Sequence, residues 1–70
     1  MRSWLRSIRE LKNLSEKQVA DMVGISQPAY HMIECGQKNP SVPPAQKIAR
    51  SLGFDWTLFF PEPVQKERGA

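Results

Sequence analysis

Cysteine and histidine each occur once in this chain, as Cys35 and His31, and that scarcity removes several classes of function. An internal disulfide needs two thiols, so the fold must hold without one, which fits a reducing cytosol. A structural metal site needs about four donors, and His31 and Cys35 at i, i+4 supply two at most, so no metal is expected. The same pair could be taken for a thiol and its base, although an ordinary reduced thiol is the simpler reading of Cys35. No apolar run approaches the ~18 residues of a membrane span. Met1-Arg2-Ser3-Trp4 does not start a signal peptide, and the expected location is the cytoplasm. Paired carboxylates, a glycine-rich phosphate loop and a nucleophile–base pair at workable spacing are all wanting, so neither an enzyme nor a cofactor is expected. Nor does one sign of charge dominate, since ten Lys and Arg against seven Asp and Glu leave a net charge of +3. The resulting pI near 9.4 is compatible with nucleic acid but is shared by many proteins with other tasks.

What is present is concentrated between Ser15 and Glu34. Ser15 followed by Gln18 is a capping box, in which the hydroxyl takes an orphan backbone N–H and the Gln reaches back to the cap. A helix therefore starts at about Glu16, with Val19, Ala20 and Val23 on one face. Gly24 ends it through a left-handed conformation that a Cβ would disfavour. Ile25 plugs the turn, Ser26 is a second N-cap, and Pro28 sits in the first turn of the next helix, where its missing N–H would have had no partner. Two short helices joined by a tight turn have the layout of a DNA-reading helix-turn-helix.

At about 100° per residue, Tyr30 and Ile33 mark the buried side of the second of these helices. Pro28, His31, Met32 and Cys35 lie opposite, with Gln27 at the edge of the exposed face. That face carries no charge. Gln, His and Met can bond base edges or touch a thymine methyl, whereas a merely solvated helix normally shows Lys or Glu. A charge-poor surface helix remains the alternative for the face taken alone.

The flanking segments read as helices as well. An opening helix from about Arg2 to Lys12 puts Trp4, Leu5, Ile8 and Leu11 on one stripe and Arg2, Arg6, Arg9 and Glu10 away from it. Gly36 to Pro40 is a loop. Ser41 is a plausible cap for a fourth helix, whose first turn tolerates Pro43 and Pro44 and whose Ala45, Ile48, Ala49 and Leu52 face inward. Asp55 caps a last turn with Trp56, Phe59 and Phe60, which Pro61 ends. The chain divides into one small domain over 1–62 and a polar, frayed tail over 63–70.

The residues Val19-Ala20, Gly24-Ile25-Ser26, Ile33-Glu34-Cys35-Gly36 followed by Asn39-Pro40-Ser41, and Ile48-Ala49-Arg50-Ser51-Leu52-Gly53 resemble the helix-turn-helix domains of the phage repressor and Cro type, the Xre family. The resemblance covers roughly Leu5 to Phe60. It implies an all-α, five-helix, lambda-repressor-like globule with the helix-turn-helix at helices 2 and 3. Such a domain usually binds a two-fold operator in double-stranded DNA as a homodimer to control transcription. A protein-binding module that keeps the fold, an antitoxin or an adaptor, is the alternative.

The resemblance also assigns roles. Gln27, Pro28, His31 and Met32 would face the bases, with Gln27 the principal reader because its amide can bond adenine N6 and N7 together. Arg9, Ser15, Lys17, Lys38 and Asn39 would contact phosphates. A Glu at position 34 commonly pairs with an Arg on the first helix, here Arg9, so that the guanidinium is fixed and can also reach a phosphate. An ordinary surface ion pair is the alternative. Two residues depart from the pattern. Glu16 stands where relatives usually carry a phosphate-contacting Gln, and Pro28 stands where a base-reading Gln or Ser is frequent. So few cations imply weak binding per protomer and hence a dimer. Leu58, with Trp56 and Phe60, would form its interface, while Trp4 and Leu11 would pack against the C-terminal segment within one chain.

Overall fold

A computed structural model describes residues 1–60 of the chain. The boundary at 62, the stop at Pro61 and the tail over 63–70 lie outside the described residues. The described residues form four α-helices and a final 3-10 turn, with no strand among them. They are α1 (Ser3–Leu11), α2 (Glu16–Val23), α3 (Gln27–Cys35), α4 (Val42–Leu52) and the 3-10 turn Trp56–Phe59. The expected fifth helix is thus a 3-10 turn of four residues. Asp55 caps it, its carboxylate accepting from the Thr57 amide at 2.9 Å and the Thr57 hydroxyl at 2.8 Å. Those two bonds hold the Asp55 carboxyl below its usual range.

The caps follow the local sequence. Ser15 Oγ accepts from the Gln18 amide at 3.0 Å, and Gln18 Oε1 accepts from the Ser15 amide at 2.8 Å, completing the capping box. Gly24 adopts φ +78 with no atom within 4 Å of a hypothetical Cβ, so the left-handed backbone alone asks for glycine there. Ser26 Oγ accepts from the Ala29 amide at 3.2 Å at the start of α3. Ser41 occupies the N-cap of α4, yet its hydroxyl makes no capping bond.

α2 packs on both α3 and α4, α1 packs on α3, and α4 carries the 3-10 turn. Leu5, Val19, Tyr30, Ala45 and Ile48 are sealed completely in the shared core, with Leu52, Ile33 and Phe59 close to it. Trp4 stacks edge-on against Phe54 and Phe59, both at 5.3 Å between ring centroids, which ties α1 to the C-terminal end as expected. Leu11 does not join this cluster. It is the last residue of α1 and is 83% exposed. Arg9 departs in the opposite sense: it lies one turn after the buried Leu5 and turns inward with it, leaving 9% exposed. A guanidinium can enter the core only where an acid meets it.

Candidate functional site

That acid is Glu34, which is 1% exposed and therefore no surface charge. Arg9 grips it through two parallel bonds, Nε to Oε2 at 2.7 Å and Nη2 to Oε1 at 3.0 Å. Tyr30, one turn earlier on α3, donates its hydroxyl to Oε2 at 2.9 Å. Arg9 Nη1 continues to the Leu14 carbonyl at 2.8 Å, so one side chain joins α1, the turn before α2 and α3. Burial pushes the Glu34 carboxyl up, but the bonds from Arg9 and Tyr30 outweigh it and hold its pKa below the usual value. The bond to Glu34 raises Arg9 in turn. Burial, reinforced by Glu34, raises the Tyr30 hydroxyl well above its ordinary range.

On the outer side of this network lies a concavity of about 480 Å³, bounded by α1, by the start of α2 and by α3 along its length. Arg9, Ser15, Lys17, Gln27 and His31 line it, together with Glu34, Arg6 and Glu16. Five of the residues expected at the interface therefore converge on one surface. Pro28 and Met32 lie further along the exposed side of α3, Met32 being 36% exposed. Lys38 and Asn39 are exposed in the loop after α3 and do not line the concavity. Lys17 Nζ is paired with Asp21 at 3.1 Å, one turn on. Both ends of that pair are well exposed, so its contribution to stability is small.

The departure at Glu16 has a visible consequence. Its carboxylate meets His31 Nδ1 at 3.0 Å through one oxygen and at 3.2 Å through the other. Cys35 Sγ stands 3.2 Å from Nε2 and 3.8 Å from Nδ1. Distances so nearly equal put the sulfur over the face of the imidazole and away from the in-plane axis of Nε2. The thiol is therefore not aligned with a general base.

Arg2 was placed by the sequence on the solvent side of α1, and it does more than that position implies. Its guanidinium donates to the carbonyls of Ile33 and Lys38 and, at 2.6 Å, to Asn39 Oδ1. Its amide donates to the Glu34 carbonyl at 2.8 Å. A cation at the C-terminal end of α3 meets the negative end of the helix dipole, and it fixes the loop that carries Lys38 and Asn39. The guanidinium also lies 5.5 Å from the centre of the Phe59 ring. Its partners stand more than 30 residues away in sequence, so no local spacing announces them. Tyr30 and Glu34, by contrast, are legible as an i, i+4 pair.

The geometry agrees with comparisons to known proteins. The helix-turn-helix family model matches residues 5–59. The chain is 45% identical over 60 residues to the uncharacterized HTH-type transcriptional regulator YqaF of Bacillus subtilis, a match covering 86% of this chain and 79% of that protein. It is 30% identical over 63 residues to the HTH-type transcriptional regulator PuuR of Escherichia coli, a match covering 90% of this chain but 34% of that protein. An identical figure holds for PuuR of Shigella flexneri. The capped α2–turn–α3 unit, its glycine turn and a match running through nearly all the described residues together make this chain a member of the Cro/C1-type helix-turn-helix family.

Proposed function

We propose that the chain is a sequence-specific DNA-binding transcriptional regulator, a small phage- or mobile-element-like repressor that reads an inverted-repeat operator in the major groove with α3. The observation that carries this reading is the outward side of α3. Gln27, Pro28, His31 and Met32 leave it uncharged and exposed, beside a concavity with Lys17, Arg6 and the edge of Arg9 around it. Gln27 is the principal base reader. Lys17, Ser15, Lys38 and Asn39 hold phosphates, and Arg9, fixed by Glu34, meets a phosphate from the floor of the concavity. The relatives named transcriptional regulators support the same reading.

Two protomers would be held by Trp56, Leu58 and Phe60. Leu58 is 47% and Phe60 39% exposed, and Trp56 stacks edge-on with Phe60 at 5.9 Å. A two-fold contact there would present two copies of α3 to successive major grooves about 34–36 Å apart. Selection of bound sites from a random DNA pool tests the whole reading, the expected product being an inverted repeat with half-sites about one helical turn apart. Failure to retain any DNA would favour a protein-binding module, an antitoxin or adaptor, for which Glu16 at the mouth of the concavity is the supporting feature. Sedimentation equilibrium of wild type and Leu58→Glu tests the dimer: the variant should stay folded and lose self-association, and an unfolded variant would return Leu58 to the core.

A further inference from the structure

Glu16 and His31 hold each other in a way that determines which edge of the imidazole is offered outward. The carboxylate, accepting only, faces Nδ1 with both oxygens at 3.0 and 3.2 Å, so in the neutral ring Nδ1 must carry the proton. Nε2 is then left as an acceptor. Its in-plane direction is not taken by Cys35, whose sulfur lies over the ring face. The His31 side chain is 54% exposed and Glu16 21%, which makes Glu16 the anchored member and His31 the presented one.

We propose that Glu16 is a positioning residue that fixes the tautomer of His31, making His31 a reader of amino-bearing bases at one position of each half-site. An acceptor at Nε2 pairs in the major groove with the amino group of cytosine or adenine and finds nothing to bond on guanine O6 or N7. The residues with charged or titratable groups that line the concavity with His31 are Glu16 and Lys17 from α2, Arg6 and Arg9 from α1, Glu34 and Cys35 from α3, and the amino-terminal Met1. Of these carboxylates, Glu16 is the one that touches the ring. The inference rests on the DNA-reading role proposed above, but the tautomer itself is a property of the free protein.

Two measurements on the full chain test it. Nitrogen NMR of the neutral His31 ring without DNA should show the Nδ1–H form in wild type and a mixture in Glu16→Ala. An Nε2–H ring in wild type overturns the inference whatever the DNA result. Titration against operators changed one base at a time should show about a tenfold or larger preference for cytosine or adenine at one position. His31→Ala should erase the preference, Glu16→Ala should blunt it, and the double variant should match His31→Ala. Equal changes for all bases in Glu16→Ala would reduce Glu16 to a plain charge and overturn the proposal. If no DNA is selected at all, the DNA-reading role falls and takes the base preference with it, while the NMR result still judges the tautomer.

Discussion

On the inward side of α3, both carboxylate oxygens of Glu34 are bonded, to Arg9 and to Tyr30, and its backbone carbonyl accepts from the Arg2 amide. On the outward side, Gln27 and Met32 make no side-chain hydrogen bond among the described residues, and His31 keeps one ring nitrogen free in its plane. One short helix thus carries a fully paired polar network on one side and exposed, unpaired polar groups on the other. Buried charges survive only when fully paired, whereas exposed amides and imidazoles lose nothing by waiting for a partner in water. Under the proposed function the inward side answers chiefly to stability and the outward side to recognition. Substitutions should separate the two.

The largest effect belongs to Glu34→Ala. Removing the carboxylate leaves the Arg9 guanidinium buried without its acid and the Tyr30 hydroxyl without an acceptor, a loss of about 3–5 kcal/mol. For so small a domain that approaches the whole folding free energy. Urea unfolding should show a much lower midpoint. Arg9→Met combined with Glu34→Leu should recover a good part of the loss, because no uncompensated charge then remains inside. The same network sets the acid limit. Glu34 has a lower pKa folded than unfolded, so its contribution is fully present above the ordinary carboxylate range and fades as pH falls through the depressed value. Glu34→Gln should flatten the stability profile in that acid window. A Glu34→Ala protein as stable as wild type would erase the contrast between the two sides of α3.

Gln27→Ala should do the reverse. Its side chain touches nothing in the core, so unfolding should be unchanged, while affinity for the best operator falls by about 1–3 kcal/mol and affinity for random DNA hardly moves. Competition binding with operator and random duplexes measures the difference. Equal losses on both would mean that Gln27 contacts backbone and does not read sequence.

These residues also show how far the sequence could be read. The capping box, the Gly24 turn, Ser26 and the apolar spacing of α2 and α4 were legible because each is a local rule acting over three or four residues. The outward side of α3 was legible for the same reason, since Tyr30 and Ile33 fix the phase of a single helix. The apolar stripe of α1 leaves Arg9 on the solvent side, and the resemblance pairs it with Glu34, 25 residues away, but neither tells that the pair lies inside the core. Arg2 was overlooked on the same ground, and Leu11 was over-read because apolar character says nothing about where a neighbouring helix stops. The aromatics and the cap of the last element point to a helix, yet the four residues after Asp55 close as a 3-10 turn. Local chemistry was readable from the residues, the Arg9–Glu34 pair only through the family resemblance, and the contacts of Arg2 from neither.

The smallest effect expected is at Lys38, and it sharpens the contrast from the side of the loop. Arg2 holds this segment through the Lys38 carbonyl at 3.2 Å and through Asn39, so the backbone is fixed while the exposed side chain of Lys38 extends outward. A cation so placed attracts any phosphate and distinguishes no base. Lys38→Ala should therefore leave folding untouched, weaken operator and random DNA alike, and make the salt dependence of binding shallower by about one ion. Arg2→Ala should add to that loss by freeing the loop, because it removes the clamp and leaves the charge of Lys38 in place. Titrations at several salt concentrations give the slope directly. An unchanged slope in Lys38→Ala would take the loop out of the DNA footprint and confine recognition to the concavity and α3.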